Sequence, residues 1–483
     1  MSHEKLLPRH RDLYYGGAWH RPEGGYVDSF SPSTGENLGP CAQANRADVD
    51  AAVRAAHQAY RSWRRTAPGE RAAVLRRIAE TMREHREELA MIDAIDCGNP
   101  VSALMNDVDI ATQLIDYFAG LVYELRGSTI PMGEGVIDMT VREPYGVCAR
   151  IVAYNHPLMF TASRLAAAVA AGNTVIMKPP VQAPLSAYRL MELIDGIAPP
   201  GVINVLSGGT ECGQALVDHP LVPKVTLIGS IATGKAIARG AAENLKSVSL
   251  ELGGKNALVI YPDADLDRAI KGAVAGMCFT WCGQACSSTT RLFVHESVYD
   301  QVVQGVLEGV RAYAPGIPTD KATSMGAIVS REQYDKIMHY IELGKQEGAH
   351  LAAGGKHPAD PALAKGYFIE PTVFTGVTMD MRIAREEIFG PVLSILKWSD
   401  EDEMFDQVNA LEYGLAAGVY TTRLDTAHRA VGRLEAGYVW VNNAAKHFFP
   451  APFGGYKQSG NNREESFEEL VSYTQLKNVY ITL

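Results

Sequence analysis

The chain has 483 residues, 47% of them hydrophobic and 21% charged, with 45 Lys+Arg against 55 Asp+Glu for a formal net charge of −10. Such a chain builds about two to four globular domains, and its acidic balance gives no electrostatic reason to bind nucleic acid or an anionic membrane. No apolar run approaches the ~18 residues of a membrane span, the start from Ser2 to Arg11 is polar with no apolar signal core, and seven cysteines without a C-x-x-C pair read as reduced thiols in the cytoplasm.

Val49, Ala52, Val53, Ala56 and Tyr60 recur at helical spacing, and after Pro68 so do Leu75, Ile78 and Met82. The first hundred or so residues are therefore predicted to be helix-rich. Residues 124–142 form a polar, glycine-containing excursion. From Gly146 short apolar runs alternate with helical segments. Strands are predicted over 147–152, 174–177, 202–206, 225–228 and 248–250, with helices over 162–171 and 184–197 between them. This alternation predicts an α/β fold with a mostly parallel sheet covered on both faces. A second α/β stretch begins after Gly253-Gly254 and runs through strands over 257–261, 291–294 and 392–396 to about Val441. Residues 473–483 read as an extended strand of the kind that pairs with another subunit.

The residues that carry chemistry lie in this α/β part. Cys286 ends the run Gly283-Gln284-Ala285-Cys286, Glu251 opens Glu251-Leu252-Gly253-Gly254-Lys255, and Asn155 stands in Tyr154-Asn155-His156-Pro157. A thiol nucleophile, a carboxylate base and an amide donor together describe acyl chemistry through a covalent thioester. Each has a plainer reading. Cysteine is usually a buried apolar residue, and a glutamate is usually a surface carboxylate, although Leu250, Leu252 and two glycines favour a strand end for Glu251. Cys278, Cys282 and Cys286 recur every fourth residue, but no histidine or further cysteine lies near them and zinc sites are spaced differently, so no metal is expected. Gly229-Ser230-Ile231-Ala232-Thr233-Gly234 follows a strand and opens a helix, which suits a dinucleotide pyrophosphate. It is not the G-x-G-x-x-G fingerprint and equally describes a packed strand–turn–helix. Lys178, before Pro179-Pro180, leaves a strand where a parallel sheet meets its ligand, though most lysines are merely solvated. Glu387-Ile388-Phe389-Gly390-Pro391 and Pro452-Phe453-Gly454-Gly455-Tyr456-Lys457 are turn-rich and carry no chemistry by inspection.

Taken jointly, these segments resemble the aldehyde dehydrogenase superfamily, specifically its non-phosphorylating NAD(P)-dependent enzymes, over essentially the whole chain. The resemblance implies a Rossmann-like parallel-sheet cofactor domain (1–123 and 143–252), a second α/β catalytic domain (253–455) and a small β oligomerisation arm (124–142 and 464–483). It implies oxidation of a small aldehyde to the carboxylic acid with NAD or NADP. Cys286 would carry the thiohemiacetal and thioester, Glu251 would activate the water, Asn155 and the Cys286 amide would hold the oxyanion, and Glu464 would relay protons. Lys178 would meet the adenosine ribose, Gly229, Ser230 and Gly234 the pyrophosphate, Glu387 the nicotinamide ribose and Phe389 the nicotinamide end. Phe160, Ser163, Ala285, Ser287, His447 and Phe453 would line the aldehyde tunnel, and the assembly would be a homodimer or homotetramer.

Three departures from the family pattern stand out. Tyr154 replaces a tryptophan, Asn462 stands where glycine is common, and Val181 stands where many NAD-preferring members have glutamate. The last implies use of NADP beside NAD. Ser163, where semialdehyde enzymes place arginine and betaine-aldehyde enzymes tryptophan, implies an uncharged aliphatic or aromatic aldehyde. Two other readings are a CoA-acylating or phosphorylating relative, against which Glu251 speaks, and a non-enzymatic binding or structural protein on this fold, against which the joint presence of Asn155, Glu251 and Cys286 speaks.

Overall fold

A computed structural model describes residues 6–482, so Ser2 and the rest of the first five residues, like Leu483, lie outside the described residues. Every residue of the strands Val147–Ile151, Thr174–Lys178 and Lys224–Ile228 is buried. Strands covered on both faces have no solvent side to mark with polar residues, which is why they read as continuous apolar runs. With Ile203–Val205 and Ser247–Glu251 they form a parallel sheet in the order Ser247–Glu251, Lys224–Ile228, Val147–Ile151, Thr174–Lys178, Ile203–Val205. The chain winds outward from Val147–Ile151 in one direction and then returns to wind in the other. The order therefore reverses between Val147–Ile151 and Lys224–Ile228, and the crevice beyond the carboxyl ends of those two strands is where such sheets bind ligands.

The sheet continues past its edge in a way the sequence did not suggest. The hairpin Leu13–Tyr15 and Ala18–His20 adds to Ile203–Val205 through Tyr14 opposite Val205. A second hairpin, Tyr26–Phe30 with Asn37–Ala42, follows. The start of the chain is therefore β before it is helical, because these strands are too short for periodicity to declare them. The helices Arg46–Trp63, Pro68–Glu84, Arg86–Cys97 and Val101–Gly120 follow. Asn45 caps the first through the Ala47 and Asp48 amides, while Asp48 answers to the Asn45 amide. The helix predicted over 162–171 is broken in two, Pro157–Ser163 and Ala166–Ala170, and the break points Arg164 at the cavity described below.

A second sheet has the order His350–Ala353, Thr372–Thr375, Val392–Trp398, Arg291–His295, Ala257–Ile260, Ala416–Tyr420, Tyr438–Val441, parallel except at its first pair. A small antiparallel sheet joins Thr129–Ile130, Val136–Pro144 and Thr474–Thr482. Only the end of the segment 464–483 lies in it. Phe467–Ser472 is a helix, and Glu464 turns back to the main body. Leu476, Tyr480 and Ile481 expose apolar side chains on the last strand. Among the described residues no helix is long and apolar enough to cross a membrane.

Candidate active site

The nucleophile loop is held by backbone shape. Cys278 (φ 53°), Cys282 (φ 54°) and Gly283 (φ 65°) all lie in the left-handed region around the short turn Phe279–Trp281. A Cβ on Gly283 would overlap the Gly390 carbonyl oxygen, so only glycine lets this loop rest against the turn that carries Glu387 and Phe389. Asn256 clamps the other side. Its Nδ2 donates to the Cys286 and Ser288 carbonyls at 2.7 and 2.9 Å, while its Oδ1 accepts the Ala416 amide at 3.0 Å. The Cys282 thiol points into packing and donates weakly to Ala327 O, while Cys278, half-buried on the wall of the larger cavity described below, donates weakly to Gly276 O.

Cys286 is half-buried and stands where two cavities meet. One, of about 600 Å³, is walled by His156, Phe160, Trp281, Ala285, Ser287, His447, Phe448 and Phe453 among others. The second, of about 210 Å³, is walled by Tyr154, Asn155, Gly229, Ser230, Glu387 and Phe389. The walls share only Ile228, Glu251 and Cys286. Glu251 ends the strand Ser247–Glu251 and is buried, and neither carboxylate oxygen has a hydrogen-bond partner among the described residues. Burial, with the charge of Glu464 added, pushes its carboxyl well above the usual carboxylate range. Burial and then the charges of Glu251 and Glu387 likewise push the Cys286 thiol up.

Asn155 sits in the turn after Val147–Ile151, fixed from three sides. Asn99 Nδ2 donates to its carbonyl at 2.9 Å, Leu158 N–H donates to Asp93 at 3.0 Å, and His156 Nδ1 meets Asp107 at 2.7 Å. Its side-chain amide makes no hydrogen bond to any described residue and opens on the second cavity. The Cys286 amide is likewise uncommitted among the described residues. Two free donors thus border the Cys286 thiol, as an oxyanion site requires.

The second cavity fits a dinucleotide. Ser230 caps the helix Ile231–Ala242 by accepting the Thr233 amide at 3.2 Å, leaving the helix's first amides to face the crevice, a site favourable to phosphate. Glu387 Oε1 accepts the Gly254 amide at 3.0 Å while Oε2 has no hydrogen-bond partner among the described residues, so one oxygen is available to ribose hydroxyls. Phe389 (φ 56°) stands edge-on to Tyr154 at 5.8 Å, and Gln333 Nε2 donates to its carbonyl at 2.8 Å. Lys178 ends its strand nearly buried, and burial lowers its ammonium from the ordinary lysine value. Val181 lies just beyond, 41% exposed.

Two expected site residues face elsewhere. Gly234 is buried against Leu252, where a Cβ would collide with the leucine side chain; it serves packing, and Gly229 with Ser230 forms the opening. Ser163 donates from Oγ to Met159 O at 2.6 Å, one turn back along its own helix, and Arg164 takes its place on the cavity wall. Phe160, Ala285, Ser287, His447 and Phe453 do line that cavity.

Glu464 belongs to an ionic knot that the sequence did not announce. It pairs with Arg150 and, at 3.4 Å, with Arg164 Nε. Arg164 also reaches Glu465 at 2.8 Å and Glu469 at 3.6 Å, and Glu465 meets His447 at 3.2 Å. Burial alone would raise the Glu465 carboxyl, but His447 and Arg164 bring it down to about 2. Burial pushes Glu469 up to about 7 against the opposing pull of Arg164. The available signal was Arg164 itself, the one charged residue in the apolar run 157–171. Asn256 and Gln333 left no comparable trace.

The aldehyde dehydrogenase family profile matches residues 19–479. Aldehyde dehydrogenase tropH of Talaromyces stipitatus is 50% identical, covering 99% of this chain and 95% of its own. A betaine aldehyde dehydrogenase of Brucella anthropi is 43% identical over 94% of this chain and 93% of its own. Among solved structures, the NAD+ complex of an aldehyde dehydrogenase from Bacillus cereus superposes with a TM-score of 0.96 at 39% identity, over 99% of this chain and 98% of that one.

Gly283→Ala should strain the loop and drive it off Gly390. We expect about 1–3 kcal/mol of lost stability, read as a lower melting temperature, together with a collapse of aldehyde-dependent cofactor reduction. Cys282→Ala, which removes only a packing thiol, should keep most of the turnover.

Proposed function

The chain belongs to the aldehyde dehydrogenase family, and from that membership we propose which of its residues carry out the NAD(P)-dependent oxidation of an aldehyde. The observation that carries the assignment is the position of Cys286 and Glu251 at the only stretch of wall the two cavities share. Cys286 Sγ, once deprotonated, adds to the aldehyde carbon. The resulting thiohemiacetal oxyanion is held by Asn155 Nδ2 and the Cys286 N–H, and one such donor contributes about 3–4 kcal/mol to the barrier. Bound NAD(P)+ supplies the hydride acceptor. Loss of hydride leaves a thioester on Sγ. Glu251 then takes a proton from water, whose oxygen attacks the acyl carbon, and Cys286 departs as the carboxylic acid forms. Release by water, and not by coenzyme A or phosphate, rests on Glu251. Glu464, tied to Arg150 and Arg164, is assigned to passing the Glu251 proton outward.

The charges on the larger cavity's wall are all paired: Asp107 with His156, Glu464 with Arg164 and with Arg150 behind it, and Glu465 with Arg164 and His447. The Brucella relative is named for betaine aldehyde, a permanent cation, but a wall rich in aromatic rings whose charges are already paired supports an uncharged aldehyde here. Val181, exposed and uncharged beside Lys178, supports use of both NAD and NADP. The apolar face of Thr474–Thr482 supports self-association as a homodimer or homotetramer. All seven cysteines are free thiols, which supports residence in the reducing cytoplasm.

Cys286→Ala should abolish dehydrogenase turnover while a dinucleotide still quenches or shifts intrinsic fluorescence; substantial turnover by this variant would remove Cys286 from the mechanism. Glu251→Gln keeps shape and removes the base. Rapid mixing should show one reduced cofactor per site and then a steady state slowed about 10²–10⁴-fold, and loss of the burst itself would move Glu251 to an earlier step.

The pH dependence has a definite sign. Burial raises both the Glu251 carboxyl and the Cys286 thiol, and both act deprotonated, so kcat should climb as the pH rises. In Glu251→Gln the deacylation rate should lose most of that slope.

Val181→Glu would set a carboxylate where a 2′-phosphate must pass. It should raise KM for NADP more than for NAD, by about 1–3 kcal/mol in their ratio. An unchanged ratio in steady-state assays would show that another loop sets cofactor choice.

A further inference from the structure

We propose that His447 is a specificity residue that accepts a hydroxyl of the substrate, and that the aldehyde this chain prefers is a hydroxylated aromatic one; the inference rests on the assignment of the larger cavity to the aldehyde. His447 is not free to choose its tautomer. Its Nδ1 lies 3.2 Å from Glu465 Oε2, and a carboxylate can only accept, so Nδ1 carries the hydrogen. In the neutral imidazole Nε2 is then left with its lone pair.

Glu465 is held in turn. Arg164 Nη2 donates to its other oxygen at 2.8 Å, its own amide donates to Glu469 at 2.8 Å, and its backbone sits at φ 65°, a region a glutamate rarely occupies. Backbone strain at a buried ion pair on a cavity wall is maintained only where the surroundings over-determine it.

The ring itself is clamped, stacked on Phe453 at 4.2 Å and on Tyr438 at 5.7 Å. Nε2 makes no hydrogen bond to any described residue and is not sealed from solvent space. Phe160, Trp281 and Phe453 line the same cavity as Cys286 and His447, and such aromatic walls favour a flat ring as the body of the substrate. The other wall histidine, His156, is turned to Asp107 and wedged against Trp281 at 4.4 Å and Phe160 at 5.3 Å.

The test compares kcat/KM of the full-length enzyme with benzaldehyde, its three monohydroxy isomers and the matching methoxy compounds, which resemble the phenols electronically but cannot donate. At least one hydroxybenzaldehyde should exceed benzaldehyde by about fivefold to tenfold, the scale of one hydrogen bond, and its methoxy partner should not. In His447→Phe that ratio should fall to about one, and in Glu465→Gln, which releases the tautomer, it should fall most of the way; the ratio is read whatever the absolute rates. No preference in the wild type, an equal preference for the methoxy partner, or a ratio unmoved in His447→Phe overturns the inference. So does a ratio lost in His156→Phe but kept in His447→Phe. Oxidation of hexanal with no turnover of any benzaldehyde overturns this inference alone. No reduced cofactor from any aldehyde would overturn the assignment of function with it.

Discussion

Glu251 has no hydrogen-bond partner among the described residues, is almost wholly out of water, and sits where a charged carboxylate would be expensive. Much around it follows from that cost. Burial favours its neutral form over its charged one. The group must still be able to ionise at the right moment, which requires a route for the proton and positive charge within reach. Arg164 and Arg150 supply that charge from behind, through Glu464. A carboxyl hydrogen-bonded to solvent would be an ordinary acid and a poor base for a thioester-bound water.

The ionic knot also ties chain segments far apart in sequence. Arg150 stands on the central strand of the first sheet, Arg164 follows the short helix after Asn155, and Glu464, Glu465 and Glu469 come from the last part of the chain. Arg150 Nη1 also donates to the Tyr473 hydroxyl at 3.2 Å, and Asn173 Nδ2 donates to the Tyr473 carbonyl at 3.0 Å. The terminal strand is therefore tied, through Arg150 and Glu464, to the wall of the larger cavity. Breaking such a buried network by removing one partner leaves an unpaired charge, at a cost of about 3–5 kcal/mol.

What the sequence revealed and what it concealed divide along physical lines. The parallel strands were legible because burial on both faces leaves unbroken apolar runs, and Cys286, Glu251 and Asn155 were legible because their chemical types stand in distinctive glycine-rich or turn-forming surroundings. The early hairpins were not, since Leu13–Tyr15 and Ala18–His20 are three residues each and show no period. Gly234 and Ser163 were misread because a motif gives neighbours along the chain and not the direction a residue faces. Gly234 turns to Leu252, and Ser163 returns its hydroxyl to Met159. Asn256 and Gln333 act through carbonyls distant in sequence, a kind of contact that residue type alone does not disclose.

The two cavities meet only at Ile228, Glu251 and Cys286, and that separation governs traffic. On the proposed assignment of the cavities each reactant has its own doorway, so neither must leave before the other enters, and the carboxylic acid can depart while the dinucleotide is still seated. Product-inhibition patterns would then report two independent exits: acid competing with aldehyde, and reduced dinucleotide competing with oxidised. Cys286 is less the bottom of a pocket than the threshold between two corridors.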